Sequence, residues 1–242
     1  MGGSGRAGDG PEPAAGRARL SRPRVLAAAI ALVDRQGLAA LTMRRLATDL
    51  GVEPMALYRY ASGKEALLDG TVEVFYAEVL DVLAAEDRAA AESAQGTEGA
   101  EDWRAALHRV ARSFCAVADA HPELFALVVT RPLTVPLARR PAPMLRLNEH
   151  LLEVIGRAGH DDRTTLRMYR ALVGWVLGYL LVERRVVVDN PDEPDPLLRL
   201  GLHRLAAADY PRLRALVPLF ADHDAPGELA AGLDTLLDGF PG

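Results

Sequence analysis

The chain predicts an all-α fold. Three observations carry this: apolar residues recur at helical spacing with no alternating strand segment or fixed repeat, a capped pair of short helices meets at Gly51, and Ala171 to Val182 forms an uncharged apolar run that asks for burial on every side. With 242 residues, half of them hydrophobic and a quarter charged, there is enough chain for a small head and a larger helical body.

Residues 1–19 are rich in Gly, Pro and Ala, lack the apolar centre of a signal peptide and are expected to form a disordered arm. From it Arg17, Arg19, Arg22 and Arg24 either reach DNA or are simply solvated. The expectation is a cytoplasmic bacterial protein. Next comes LTMRRLATDLGVEPMALYRYASGKEALL, residues 41–68. The Thr42 hydroxyl caps a helix whose Leu46, Ala47 and Leu50 share one face, and Gly51 stops it. Pro54 suits the opening of a second, very short helix, with Val52 and Leu57 turned toward the first. The other side displays Met55, Ala56, Tyr58, Arg59 and Tyr60, groups suited to a groove and its phosphates. Lys64 starts the following helix, where its ammonium and free backbone N–H groups can meet a phosphate. Together these features read as a DNA-binding helix-turn-helix, against the alternative of an ordinary helical hairpin.

Charge agrees with that reading. Residues 1–64 hold ten basic and five acidic side chains, a local balance of +5 in a chain whose net charge is −5. The remainder is therefore strongly acidic, which draws the head toward phosphates and turns the body away from them.

A long helix is expected from Leu67 to about Ala90, a polar loop over residues 91–102, and a helix from about Trp103 to Ala120 that His121-Pro122 breaks. A short apolar segment to Val129 leads into a proline-punctuated stretch ending at Pro143, which excludes continuous helix. Helical periodicity returns over Met144–Arg157 and Thr164–Arg185, and an acidic proline-rich loop precedes the terminal helices. The apolar run in the second of these is shorter than the ~20 residues of a membrane span, so no membrane is expected as partner. Burial of all its sides is met if one face packs on its own core and another on a second subunit, with Gly174 and Gly178 permitting close approach.

The segment VLAAAIALVDRQGLAALTMRRLATDLGVEPMALYRYASGKEALLDG, residues 25–70, resembles the TetR family of transcription regulators. The resemblance implies a three-helix DNA-reading head, with Val25–Gln36 as its first helix, joined by a long linker helix to an effector-binding body. It divides the chain into an arm (1–19), a helix-turn-helix domain (20–66) and a ligand-binding and dimerisation domain (67–242). The DNA-contact set it implies is Arg44, Pro54, Ala56, Tyr58, Arg59 and Tyr60, with Lys64 on phosphate; Thr42, the cap, is placed beside them. Ala61 stands where the family usually has a larger apolar residue, which implies looser packing between head and linker.

Residues 103–185 and YPRLRALVPLFADHDAPGELAAGLDTLLDGF are similar to the effector domain of tetracycline repressors. This implies a homodimer joined by a four-helix bundle of Thr164–Arg185 and about Pro226–Asp238 from each subunit, with Gly174, Gly178, Leu233 and Leu236 at the interface. It also implies a pocket with Phe114 and Thr130, Arg131 and Pro132; Leu127 and Trp175 are added as wall residues. Leu80 and Leu127 stand where tetracycline repressors have histidines for the drug and its magnesium, so the effector is expected to be small, apolar and metal-free. Arg131 either anchors that effector, or caps a helix and pairs with an acid.

The six histidines have no metal spacing, no cofactor motif is present, and no cofactor is expected. Cys115, the single cysteine, is expected to be a buried structural thiol. The function expected is a ligand-responsive regulator, a repressor released from a palindromic double-stranded DNA operator by a small-molecule effector. A DNA-binding protein without effector and a cofactor-free helical enzyme are the alternatives.

Overall fold

Ser21, not Val25, marks the first helix. Its Oγ accepts a hydrogen bond from the Arg24 N–H and Pro23 fits the first turn, so α1 (Arg22–Gln36) starts three residues earlier than expected. Arg22 thereby leaves the arm and pairs with Glu73 at 2.7 Å. The structure, a computed structural model, describes residues 19–93, 102–183, 192–221 and 224–240; Arg17 and most of the expected arm lie outside them.

A short 3-10 turn leads to Thr42, whose Oγ1 accepts from the Arg45 N–H at 3.1 Å and opens α2 (Met43–Leu50). Gly51 closes it in the left-handed region (φ 65°, ψ 37°), a conformation open to glycine without strain. The Val52 N–H returns to the Ala47 carbonyl at 3.0 Å, which satisfies the helix end. The third helix, α3 (Pro54–Leu57), is a single turn held by Leu57, which is fully buried. Ala61 is buried as well.

Helix α4 (Lys64–Ser93) begins at the lysine and runs 30 residues, about 45 Å at 1.5 Å per residue. It belongs to both parts of the molecule. Near its start Gly70 lets α1 approach so closely that the Leu26 side chain occupies the place of a Cβ, and further on Phe75, Tyr76, Val79 and Leu83 enter the body. The buried apolar residues accordingly form one continuous core from Val25 to Leu237.

In the body, Asp102 caps α5 (Trp103–Ala120), Pro122 opens α6 (Pro122–Thr130), and two 3-10 turns replace helix through the proline-rich stretch. Helices α7 (Ala142–Gly156) and α8 (Asp162–Glu183) follow. Short α9 (Pro196–Arg199), α10 (Pro211–Ala215) and α11 (Val217–Ala221) lead to α12 (Ala225–Asp238). Helix α4 packs on α5 and α7, α8 on α7 and α12, and α6 on both α1 and α4.

Three expectations are corrected here. The apolar run in α8 is not buried all round: Met168, Leu172, Val176 and Leu180 face the core, while Gly174, Gly178 and Val182 are exposed, Val182 by 68%. Leu233 is 0% exposed within its own subunit and has no surface to offer a second one; Leu236, a turn away, is half-buried. Cys115 is half-buried rather than sealed and lines a surface groove with Tyr179 and Glu183.

Candidate nucleic-acid interface and ligand cavity

The head sorts its cations by the local acids. Asp49 on α2 takes both Arg35 from α1, at 2.9 Å, and Arg45 one turn before it, at 3.5 Å, and Glu73 takes Arg22. Arg44, Arg59 and Lys64 are exposed and have no ion pair among the described residues. All three belong to the expected contact set. Near them Met55 (74%) and Tyr58 (47%) are the exposed large hydrophobic side chains of the head, while Pro54 and Ala56 are half-buried on α3. Thr42 is exposed, with its oxygen committed to the cap.

Tyr60 is corrected. Its ring is half-buried against the core and its hydroxyl donates to the Leu20 carbonyl at 2.8 Å, tying the entry of α1 to the end of the reading unit. This long-range contact is one that spacing alone did not reveal.

In the body, an apolar cavity of about 110 Å³ lies among α4, α5, α7 and α8. Phe114 lines it, with Tyr76, Leu147, Tyr169 and Val176, and its polar lining groups also include Arg140 and Asn148. Of the other expected pocket residues, Leu127 and Thr130 do not line it, and the Thr130 hydroxyl donates to the Ala126 carbonyl. Arg131 and Pro132 line an outer cleft instead. There Arg131 Nε donates to Asp69 Oδ1 at 2.6 Å and Nη1 lies 2.9 Å from Glu65 Oε2, so pairing with acids on α4 is the arrangement found. Hydrogen bonding to Asp69 leads the effects that raise the Arg131 pKa above its ordinary value. Trp175 is not a wall residue either: its indole N–H donates to the Leu229 carbonyl at 3.3 Å and its ring fills the space over Gly232, joining α8 to α12.

A larger groove of about 460 Å³ runs between α5, α8 and α12. It touches neither the head nor α4. The smaller cavity has the better claim to control the head, because Tyr76 on its wall is part of the linker helix.

From that wall a packed series leads outward. Tyr76 and Phe114 meet at 6.1 Å between ring centroids, Phe75 touches both at 5.8 and 5.6 Å, and Phe75 meets His121 at 6.5 Å. His121 stands at the α5–α6 break with Nδ1 2.8 Å from Asp34 of α1 and Nε2 3.1 Å from Glu78 of α4. Both ring nitrogens face carboxylates, an arrangement that favours the imidazolium, in which both can donate. Burial pushes the His121 pKa down, but hydrogen bonds and charge from Asp34 and Glu78 outweigh it, and the net direction is upward. His121 thus fastens head, linker and body together. Among the described residues no three His, Cys, Asp or Glu side chains gather as a metal site.

The sequence matches the family described as "Bacterial regulatory proteins, tetR family" over residues 25–71, and "Tetracyclin repressor-like, C-terminal domain" over residues 95–241. It is 32% identical over 169 residues to the HTH-type transcriptional repressor DrrR1 of Streptomyces coeruleorubidus, a match covering 70% of this chain and 54%, about half, of that relative. It is 28% identical over 228 residues to the tetracycline repressor protein class D of Escherichia coli, covering 92% of this chain and 90% of that one. Among solved structures, a possible TetR family transcriptional regulator from Streptomyces coelicolor A3(2) superposes with a TM-score of 0.69 at 30% identity, covering 90% of this chain and 98% of the other. With an amino-terminal reading head and a carboxy-terminal domain that both match, this chain belongs to the tetR family of bacterial transcriptional regulators.

Proposed function

We propose that the protein is a homodimeric repressor that holds a two-fold DNA site through its two heads and releases it when a small ligand occupies the α4–α5–α7–α8 cavity. The observation that carries this is the division of head cations. Arg44, Arg59 and Lys64 stay available for DNA while the neighbouring arginines are held by Asp49 and Glu73. Phosphate contacts from Lys64 and the α4 amino terminus position the head, and Arg44 with Tyr58 reads base edges. Ligand entry acts through Tyr76, Phe75 and His121, which connect the cavity to α1 and α4, so a changed packing of these rings changes the separation of the two heads.

Support for the dimer comes from α8. Added Cβ atoms at Gly174 and Gly178 meet nothing within 4 Å, and the same helix exposes Leu166 and Val182. An apolar helix face with open glycines is suited to a second helix. Action on DNA is suited to the bacterial cytoplasm. Among the described residues no helix is long and apolar enough to cross a membrane.

The size of the cavity favours a second reading, a DNA-binding regulator without effector, because ligand sites commonly span about 300–1,000 Å³. Occupation therefore requires the cavity to open, which is also how a ligand gains leverage over the fold.

The Gly178→Leu variant tests the assembly. Its side chain has room within one subunit and obstructs only a close partner, at about 1–3 kcal/mol of overpacking. Sedimentation should show a folded monomer with strongly reduced DNA affinity. A variant that stays dimeric and binds DNA normally puts the interface elsewhere.

A further inference from the structure

Arg140 sits between the second 3-10 turn and α7, fixed by its backbone N–H to the Leu137 carbonyl at 3.0 Å. Its neighbour Arg139 lines the outer cleft, whereas Arg140 lines the inner cavity with Tyr76, Asn148 and Tyr169. There its Nε is buried without a hydrogen-bond partner. No carboxylate lines that cavity. Arg104, Arg109, Arg112 and Arg131 of the same body, by contrast, each face an acid at 3.2 Å or less. A buried guanidinium N–H without an acceptor is an arrangement that protein cores avoid. Nor do the tyrosines supply a counter-charge. Burial raises the pKa of both Tyr76 and Tyr169, although each feels the Arg140 charge, so both remain neutral hydroxyls near pH 7.

We propose that the ligand of this cavity is an organic acid: a small molecule with one carboxylate or similar anionic oxygen group paired to Arg140, and an apolar body lying against Phe114 and Val176. The proposal rests on the reading of this cavity as the effector site and refines the expected apolar effector to an anionic amphiphile. A guanidinium fork suits a planar anion with two oxygens, and the tyrosine hydroxyls and the Asn148 amide can hydrogen-bond to the same group. The ion pair forms in an apolar surrounding where charge discriminates strongly between an acid and its neutral isostere.

Calorimetric titration of the full chain with 2-naphthoate and 2-naphthamide, matched in shape and different in charge, tests this. Wild type should bind the naphthoate at least about tenfold more tightly. Arg140→Gln should reduce naphthoate affinity to the level of the amide without moving the amide, Arg140→Lys should keep part of the preference, and Leu147→Trp, which fills the cavity, should abolish binding of both. Equal affinities in wild type, or a preference that survives Arg140→Gln, would overturn the acid-binding proposal while leaving the cavity as a ligand site. Absence of binding by both probes, or binding that survives Leu147→Trp, would overturn the cavity reading and the proposal with it.

Discussion

Arg44 and Arg45 are adjacent in sequence, yet Arg45 turns back to Asp49 and Arg44 does not. Substitutions should separate them. Arg44→Ala should relax sequence preference at one base pair, losing about 1–3 kcal/mol if its guanidinium grips a guanine, whereas Arg45→Ala should leave DNA affinity nearly unchanged. Lys64→Ala should weaken specific and non-specific DNA equally and make the salt dependence shallower by roughly one unit. Binding titrations across salt and single-base variants measure all three. Equal loss on every sequence for Arg44→Ala would remove its base-reading role. Arg131→Ala breaks two pairs whose acids are largely exposed and one hydrogen bond to the Glu65 carbonyl, so stability should fall by about 1 kcal/mol and cavity affinity should hold. Lys64 was legible because a helix start fixes its position locally, while Arg44 was named through the resemblance to the family. The contacts of Tyr60, Arg131 and Trp175 were not legible, since their partners Leu20, Asp69 and Leu229 are distant in sequence. Arg140 was hidden by a stretch of prolines in which periodicity says nothing about direction.

At the scale of elements, α4 is the part shared by head and body, and two contacts fasten it. The first is the α1 crossing at Gly70, where Gly70→Val would drive a branched side chain into Leu26. It should cost about 1–3 kcal/mol, read as a lower melting temperature. The second is the His121 junction with Asp34 and Glu78. Its folded pKa is raised above the ordinary 6.5, so its stabilisation is complete below 6.5 and disappears as pH rises through the folded value. The melting-temperature advantage of wild type over His121→Gln should therefore shrink as pH rises above about 6.5; a gap that stays constant would mean the imidazolium is not what holds the junction. The sequence showed this helix and the His121-Pro122 break clearly, because proline and long periodic runs are local signals. It did not show that α6 packs on α1, since that depends on His121 and Asp34 meeting across the fold, whereas the start of α1 at Arg22 had a local signal in Ser21 and Pro23.

At the scale of the whole molecule, the proposed repressor holds two reading heads at a fixed separation. A helix-turn-helix dimer places its heads about 34–36 Å apart, one turn of DNA, or a multiple of that. The uncharged apolar segment of α8 is the feature from which a second subunit is proposed, although which leucines of α12 face outward was not readable: Leu233 is claimed by its own core. Selection of binding sites from a random DNA library by the full chain tests the central claim most directly. The expected result is one enriched inverted repeat with half-sites about one helical turn, or a whole multiple, apart, lost in Gly178→Leu and broadened in Arg44→Ala. Enrichment of no two-fold site, or the same site enriched equally by the wild type and both variants, would contradict it.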